Sequence, residues 1–234
     1  QGSLPQPLIK KEGDKTYSVF PFKTDSLEID YHIVIISKPF VPLVVEAKTL
    51  GRNFVYQDPE TGKIPKEYSN RNILDYYVER NLKVIDYLEK QVGEKNPFFL
   101  YLSYNAPHFP VSPPTAWLQK VKQREPQVSE TRAKLVAFIE HMDANIGKVV
   151  ASLKANGQYE NTIILFLSDN GGHLPSESNN GDLRDGKQSM YEGGLRVPTV
   201  ISWPKMIKAG SVSAQVNLTM DIYPTLLEIA GAPI

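Results

Sequence analysis

Four side chains between residues 108 and 187 have the types and neighbours needed to handle an oxyanion. Asp169 and Asn170 set a carboxylate and an amide carbonyl side by side, followed by Gly171-Gly172. Oxygen donors of this kind suit a hard cation such as Ca2+ or Mg2+, whereas softer metals prefer imidazole or thiolate. The two glycines would let the backbone turn sharply close to a ligand. His108 stands between Pro107 and Pro110, in a loop that the prolines stiffen, and could give a proton to a leaving oxygen or bind an oxyanion. Lys187 follows Gly186 and precedes Tyr191-Glu192-Gly193-Gly194, where its ammonium could neutralise a sulfate or phosphate oxygen. Each residue also has a plainer reading. Asp-Asn-Gly-Gly is a good turn after a strand, a loop histidine can simply bond a backbone carbonyl, and a loop lysine can simply be solvated. Of the other histidines, His173 has no firm role, His141 suits helix packing or surface, and His32 has no reading.

The elements around these residues give them a common address. Asn70 can cap a helix whose apolar positions Ile73, Leu74, Tyr77, Val78, Val84, Ile85 and Leu88 follow helical spacing, with Gly93 as a stop. Pro97 then introduces the apolar run Phe98 to Leu102, which suits a strand buried on both faces, as in a parallel sheet. A proline-rich loop spans 107–114. A long helix starts near Ser129 with Leu135, Phe138, Ile139, Met142, Ile146, Val149, Val150 and Leu153 on one face, and Asn156-Gly157 ends it. Ile163 to Leu167 and Thr199 to Trp203 read as further strands, and a short helix runs from about Asp221 to Ala230. Strand, long helix, strand is the grammar of an α/β domain. In open α/β sheets ligands gather beyond the carboxyl ends of the strands. His108 follows one such strand end and Asp169-Asn170 the other. If the two strands are parallel, both clusters face one crevice. Upstream, Ile33 to Ile36 and Val41 to Val45 could be short strands, and residues 51–66 read as a loop.

Composition narrows the partners. With 234 residues, 41% hydrophobic, the chain has the length for one large α/β domain or most of one. Its 26 basic and 26 acidic residues balance, so nothing points to a nucleic-acid partner. The absence of cysteine excludes disulfides, thiolate metal sites and cysteine nucleophiles within these residues. No stretch approaches the ~18 apolar residues of a membrane span, and the first residues do not read as a signal peptide.

Taken together, the motifs resemble a known family. Pro97 to His108 is similar to the histidine-bearing strand of formylglycine-dependent sulfatases, members of the alkaline-phosphatase superfamily. Met142-Asp143 through Gly157 resembles the helix before their metal strand, and Thr162 to Gly172 that strand itself. Leu183-Arg184, Gly186-Lys187 and Tyr191 to Pro198 resemble the sulfate-lysine loop and the strand entry after it. Asp221 to Leu227, with Ala230-Gly231, resembles the helix near the end of the catalytic domain. The five motifs stand in family order over roughly residues 70 to 234, so residues 67–234 are expected to be a catalytic-domain portion and 1–66 a poorly matched segment. The fold implied is α/β, a mixed, mostly parallel central sheet flanked by helices, here incomplete.

The resemblance implies that Asp169 and Asn170 are Ca2+ ligands, that Lys187 bridges sulfate oxygens and the leaving oxygen, and that His108 contacts the sulfate and assists departure of the leaving group. It also implies a sulfated small molecule or glycan as substrate and an extracytoplasmic location. The departures are as specific as the matches. The family nucleophile arises in a Cys/Ser-x-Pro-x-Arg motif; there is no cysteine, and Ser112-Pro113-Pro114 lacks the arginine. The paired aspartates and the lysine-histidine segment of the family are also missing, and all of these precede the matched part. The chain alone is therefore expected to be inactive, with a weakly occupied Ca2+ site, because a cation that takes about six to eight ligands finds two here. An unpaired sheet edge would favour a homo-oligomer. The alternatives are a phosphatase or phosphodiesterase of the same superfamily, and a non-catalytic sulfatase-like protein that binds sulfated glycans.

Overall fold

The computed structural model describes residues 6–7, 9–18, 38, 40–71, 74–92 and 97–231. The expected strand at 33–36, the stop at Gly93 and His32 lie outside the described residues.

The scaffold is helical. α1 spans Lys66–Arg71 and α2 Leu74–Val92. Asn70 lies inside α1 and does not cap a helix start; residues 72–73, between α1 and α2, lie outside the described residues. α3 (Thr115–Arg124) was not read from sequence; Trp117, Leu118 and Val121 line its buried side. α4 (Glu130–Ala155) is the long helix expected, and its ends follow from local chemistry. Ser129 caps it, its Oγ accepting from the Arg132 amide at 3.0 Å. At the other end Gly157, at φ 70°, turns the chain out. The Gly157 amide donates to the Lys154 carbonyl (3.2 Å) and the Gln158 amide to that of Leu153 (2.9 Å), which satisfies two terminal carbonyls.

Three clusters tie the elements together. Val121 of α3 packs on Ala133 and Ala137 of α4, where small residues let the helices approach closely. Leu74 and Val78 of α2 meet Phe138 and Met142 of α4 and Ala106. Further along, Ile85, Val149 and Leu153 form a floor for Phe98, Leu100, Leu102 and Ile164. His141, on α4, is buried; its Nε2 lies 3.0 Å from Asp75 Oδ1 on α2 and its ring tilts against Trp117 of α3. It is a packing histidine, one of the two roles expected for it.

The described strands form two small sheets. β1 (Ile9–Glu12) pairs antiparallel with β2 (Lys15–Ser18) and parallel with β3 (Val44–Glu46). β4 (Ile164–Leu167) pairs antiparallel with β5 (Thr199–Ser202), Leu167 facing Thr199. Phe98 to Leu102 departs from the expected strand. Phe98, Leu100 and Leu102 face the helices, but Phe99 is 74% and Tyr101 77% exposed, and no ladder joins the segment among the described residues. It is extended, with one covered face instead of two. α5 (Glu192–Leu195) and α6 (Ile222–Ile229) complete the elements. Pro224 sits in the first turn of α6, where no amide is needed, and Gly231 at φ 72° follows its end.

One directional result positions the site. The chain from Phe98 to Ala106 runs from the Val149–Leu153 end of α4 to the middle of that helix, at Phe138 and Met142. The chain from Ile164 onward starts at the same Leu153 end and reaches the start of α4, where Arg132 Nη1 donates to the Glu177 carbonyl at 2.9 Å. Both segments therefore begin over the Leu153 end of α4; the first reaches Phe138 and Met142 at Ala106, and the second reaches the first turn of that helix at Glu177.

Candidate functional site

Beyond β4 the backbone enters a close-packed set of loops. Ser168 Oγ donates to the Asn170 carbonyl at 2.8 Å and closes the first turn. The Gly171 amide then donates to the Gly194 carbonyl (2.9 Å), and the Lys187 amide to the Gly172 carbonyl (2.9 Å). The Gly193 amide donates to the Arg184 carbonyl (2.8 Å), so the loop bearing Lys187 is stitched both to the segment after β4 and to α5. The Arg184 guanidinium lies 3.5 Å from the centre of the Tyr191 ring and bridges the two limbs of that loop.

The glycines make this possible. A Cβ at Gly171 would come within 1.7 Å of the Gly193 carbonyl oxygen, and one at Gly193 within 2.1 Å of the Asp185 oxygen. The sequence reading gave the Gly171-Gly172 pair a sharp turn close to a ligand. Neither adopts a positive φ; Gly171 lets backbone pack on backbone, and Gly172 leaves room for the Ser178 and Asn180 side chains. Asp185 (φ 66°) and Gln188 (φ 76°) make the tight turns that flank Gly186-Lys187, and Asp185 Oδ1 accepts from the Gly186 amide at 2.9 Å.

The loops place Asp169, Asn170 and Lys187 on adjoining strands of chain. Asp169 is exposed, while Asn170 and Lys187 are half-buried. Among the described residues no hydrogen bond or ion pair engages the Asp169 carboxylate, the Asn170 side chain or Lys187 Nζ, so these groups have polar capacity to spare where neighbouring side chains have spent theirs. A carboxylate and an amide oxygen have the donor chemistry for a hard cation, yet they are two donors of the about six to eight such an ion takes. Among the described residues no group of three or more His, Cys, Asp or Glu could add to them.

His108 is exposed in the loop after Leu102, with its amide donating to the Asn105 carbonyl at 2.9 Å. Its Nδ1 lies 2.7 Å from the Phe109 carbonyl, the backbone bond of the plainer reading. That bond puts a proton on Nδ1 and leaves Nε2 to act outward, so it orients the ring as much as it occupies it. No hydrogen bond joins His108 to the loops carrying Asp169 and Lys187 among the described residues. His173 is engaged locally, its Nδ1 2.7 Å from Ser176 Oγ.

Sequence reasoning passed over Asn180. Its Oδ1 accepts from the Gly172 amide (2.8 Å) and its Nδ2 donates to the Asp185 carbonyl (2.9 Å), so one side chain joins the Asp169-Asn170 and Lys187 loops. In sequence, Asn179-Asn180-Gly181 signals only a turn. Beside Asn180 an open polar cavity of about 480 Å³ is lined by Arg132, Glu177, Asn179 and Asp185.

The family model for sulfatases matches residues 46–232. A sulfatase from Formosa agariphila is 37% identical over 159 residues, covering 64% of this chain and 29% of that protein. The N-acetylgalactosamine-6-sulfatase of Mus musculus is 31% identical over 199 residues, covering 83% of this chain and 35% of that protein. Among solved structures, Ps i-CgsB in complex with k-i-k-neocarrahexaose superposes with a TM-score of 0.63 at 38% identity, covering 68% of this chain and 34% of that one. PsFucS1 sulfatase from Pseudoalteromonas sp. follows at 0.54 and 32%, covering 66% and 29%. The chain thus spans about a third of the length of the relatives it matches. Their likeness gives it an alkaline-phosphatase-like α/β fold, and the family match over most of its length makes it a member of the sulfatase family.

Proposed function

We propose that these residues form one wall of a site that hydrolyses sulfate esters. Asp169 and Asn170 would hold one side of a Ca2+ ion, and Lys187 pairs with sulfate oxygens and with the leaving oxygen. Nε2 of His108, in the imidazolium form with both ring nitrogens protonated, delivers its proton to the departing alcohol and leaves the neutral ring with its proton on Nδ1. The observation that carries this reading is the 2.9 Å bond from the Lys187 amide to the Gly172 carbonyl, two residues beyond Asn170. It sets the proposed cation ligands and the proposed sulfate lysine on adjoining strands, with all three side chains uncommitted. His108 is assigned to the same wall because its segment and β4 both start over the Leu153 end of α4, where Phe98 and Ile164 pack on Ile85, Val149 and Leu153.

In sulfate-ester hydrolysis charge builds on the equatorial oxygens and on the departing alcohol. A fixed ammonium beside those oxygens and an imidazole in reach of the alcohol stabilise it more in the transition state than in the ground state. The bound cation would supply further charge stabilisation at the sulfate oxygens. The Nδ1 bond to Phe109 keeps the His108 ring from rotating away, and the glycine-packed loops fix the Lys187 backbone so that its reach is set by the side chain alone.

The remaining readings follow from family and composition. The substrate is a sulfated small molecule or glycan, the setting is extracytoplasmic, and the completed fold is a mostly parallel central sheet in which the Phe98–Leu102 segment takes a strand position. Its exposed aromatic face favours self-association. The 234 residues by themselves turn over nothing, since they hold no Cys/Ser-x-Pro-x-Arg nucleophile.

Two assays test this. With Ca2+ and a chromogenic aryl sulfate, the 234-residue chain should give no rate above buffer; clear turnover would refute the assignment of inactivity. The product of the complete open reading frame should hydrolyse the aryl sulfate in strong preference to the matching phosphate monoester. A phosphate preference would move it to the phosphatases of the superfamily, and no rate on either ester would make it a binding protein.

A further inference from the structure

We infer that Asn180 is a positioning residue, the side chain that sets where Lys187 stands relative to Asp169 and Asn170. The inference rests on the sulfate-lysine reading above and names the part of the fold that makes it work.

Asn180 belongs to neither of the loops it holds. Its Oδ1 takes the Gly172 amide at 2.8 Å, and its Nδ2 gives to the Asp185 carbonyl at 2.9 Å and approaches the Gly172 carbonyl at 3.5 Å. The partners fix the orientation of the amide, because an N–H must meet an oxygen and a carbonyl must meet an N–H. Gly172 is held on both of its backbone groups: its amide by Asn180, its carbonyl by the Lys187 amide. Displacing Asn180 therefore acts on Lys187 through a single residue. From the other side, Asp185 stands two residues before Lys187 and is held through its carbonyl.

Two glycines make room for this amide. A Cβ at Gly172 would lie 2.9 Å from Asn180 Oδ1, and one at Gly186 would lie 2.9 Å from Asn180 Nδ2. Ser178 Cβ (2.6 Å) at Gly172 and the Gly172 carbonyl oxygen (2.4 Å) at Gly186 crowd these positions further, so Asn180 is held in a close-packed junction of both loops. The carboxamide is also the fitting chemistry for the position. A carboxylate would accept from Gly172 but turn its other oxygen against the Asp185 carbonyl, and a hydroxyl could not span both partners.

The test is a double-substitution cycle on the product of the complete open reading frame, read as kcat and KM for an aryl sulfate. Asn180→Ala is expected to lower kcat by roughly 30- to 100-fold, the scale of a displacement of about 1 Å in a catalytic group, with KM changed far less. In a Lys187→Ala background the same substitution should cost less than about 2-fold, because the group it positions is gone. If Asn180→Ala does not fold, Asn180→Asp, which keeps the acceptor for Gly172, takes its place and should show the same loss of effect in the Lys187→Ala background. Losses that simply multiply would overturn the role of Asn180 and leave that of Lys187 standing. A rate that Lys187→Ala leaves intact, or no rate on sulfate esters at all, would overturn both.

Discussion

The segments Pro97–His108 and Thr162–His173 look alike as sequence: each is a short apolar run that opens into a polar cluster with a candidate site residue. Folded, they differ in what holds them. The second pairs with β5 and is then stitched by backbone bonds from Gly171, Gly172 and Lys187. Among the described residues, the first lies on the helices by side chains alone, with Phe98, Leu100 and Leu102 down and Phe99 and Tyr101 out. Hydrophobic pattern specifies which face a segment buries, but a ladder also needs a neighbour with free amides and carbonyls. The proposed site accordingly has a half stitched by backbone bonds, with Asp169, Asn170 and Lys187, and a half at His108 whose segment is anchored by packing.

Four substitutions in the 234-residue chain probe that contrast, each read by urea unfolding. The largest effect is expected at Gly171→Ala. The added methyl would sit 1.7 Å from a backbone oxygen, so the loops must part, at about 3–5 kcal/mol and with loss of the Lys187 geometry. An unchanged midpoint would mean that the loops are loose. Next is Ile85→Ala, which opens a hole beneath both segments at about 2–4 kcal/mol. Hydrogen exchange should then speed up more at residues 98–102 than in β4, which keeps its ladder; equal changes would erase the distinction.

Asp75→Asn comes third. Burial of Asp75 opposes its charge, but the hydrogen bond and charge of His141, with Asn145 and Lys148, outweigh burial and hold its carboxyl below the usual carboxylate range. A depressed acid contributes stability above its unfolded value of ~3.9 and loses it as pH falls through the lower folded value. The variant should therefore be less stable near neutrality and show a shallower fall below about pH 4. Because Asp75 is partly solvated, the effect should stay under about 1 kcal/mol. A steeper acid limb would contradict the pairing. Phe99→Ser should change least, within about 0.5 kcal/mol, since the ring is mostly solvent-exposed; a large loss would show that this face is covered.

Much of this was legible in the sequence for particular reasons. The long helix was visible because its apolar stripe, its Ser129 cap and its Asn156-Gly157 stop all agree. α3 was hidden by its short, polar character, with Trp117, Leu118 and Val121 as a stripe too brief to stand out. β1 and β2 are mostly lysine, threonine and glutamate, so they lack a hydrophobic alternation to read. At the site, residue types suggested the chemistry of Asp169, Asn170, Lys187 and His108. The geometry was invisible, because a glycine that admits a carbonyl from 22 residues away, as Gly171 does that of Gly193, looks like a glycine in a turn. Asn180 was missed on the same ground: its partners are backbone groups, and backbone leaves no trace in residue type.

The most direct test of the account is a crystal structure of the complete open-reading-frame product grown with Ca2+ and sulfate. The account predicts a cation against the side chains of Asp169 and Asn170 and a sulfate in contact with Lys187 Nζ and the His108 ring, all within one hollow. Sulfate bound elsewhere, with these four side chains on separate faces of the protein, would contradict it.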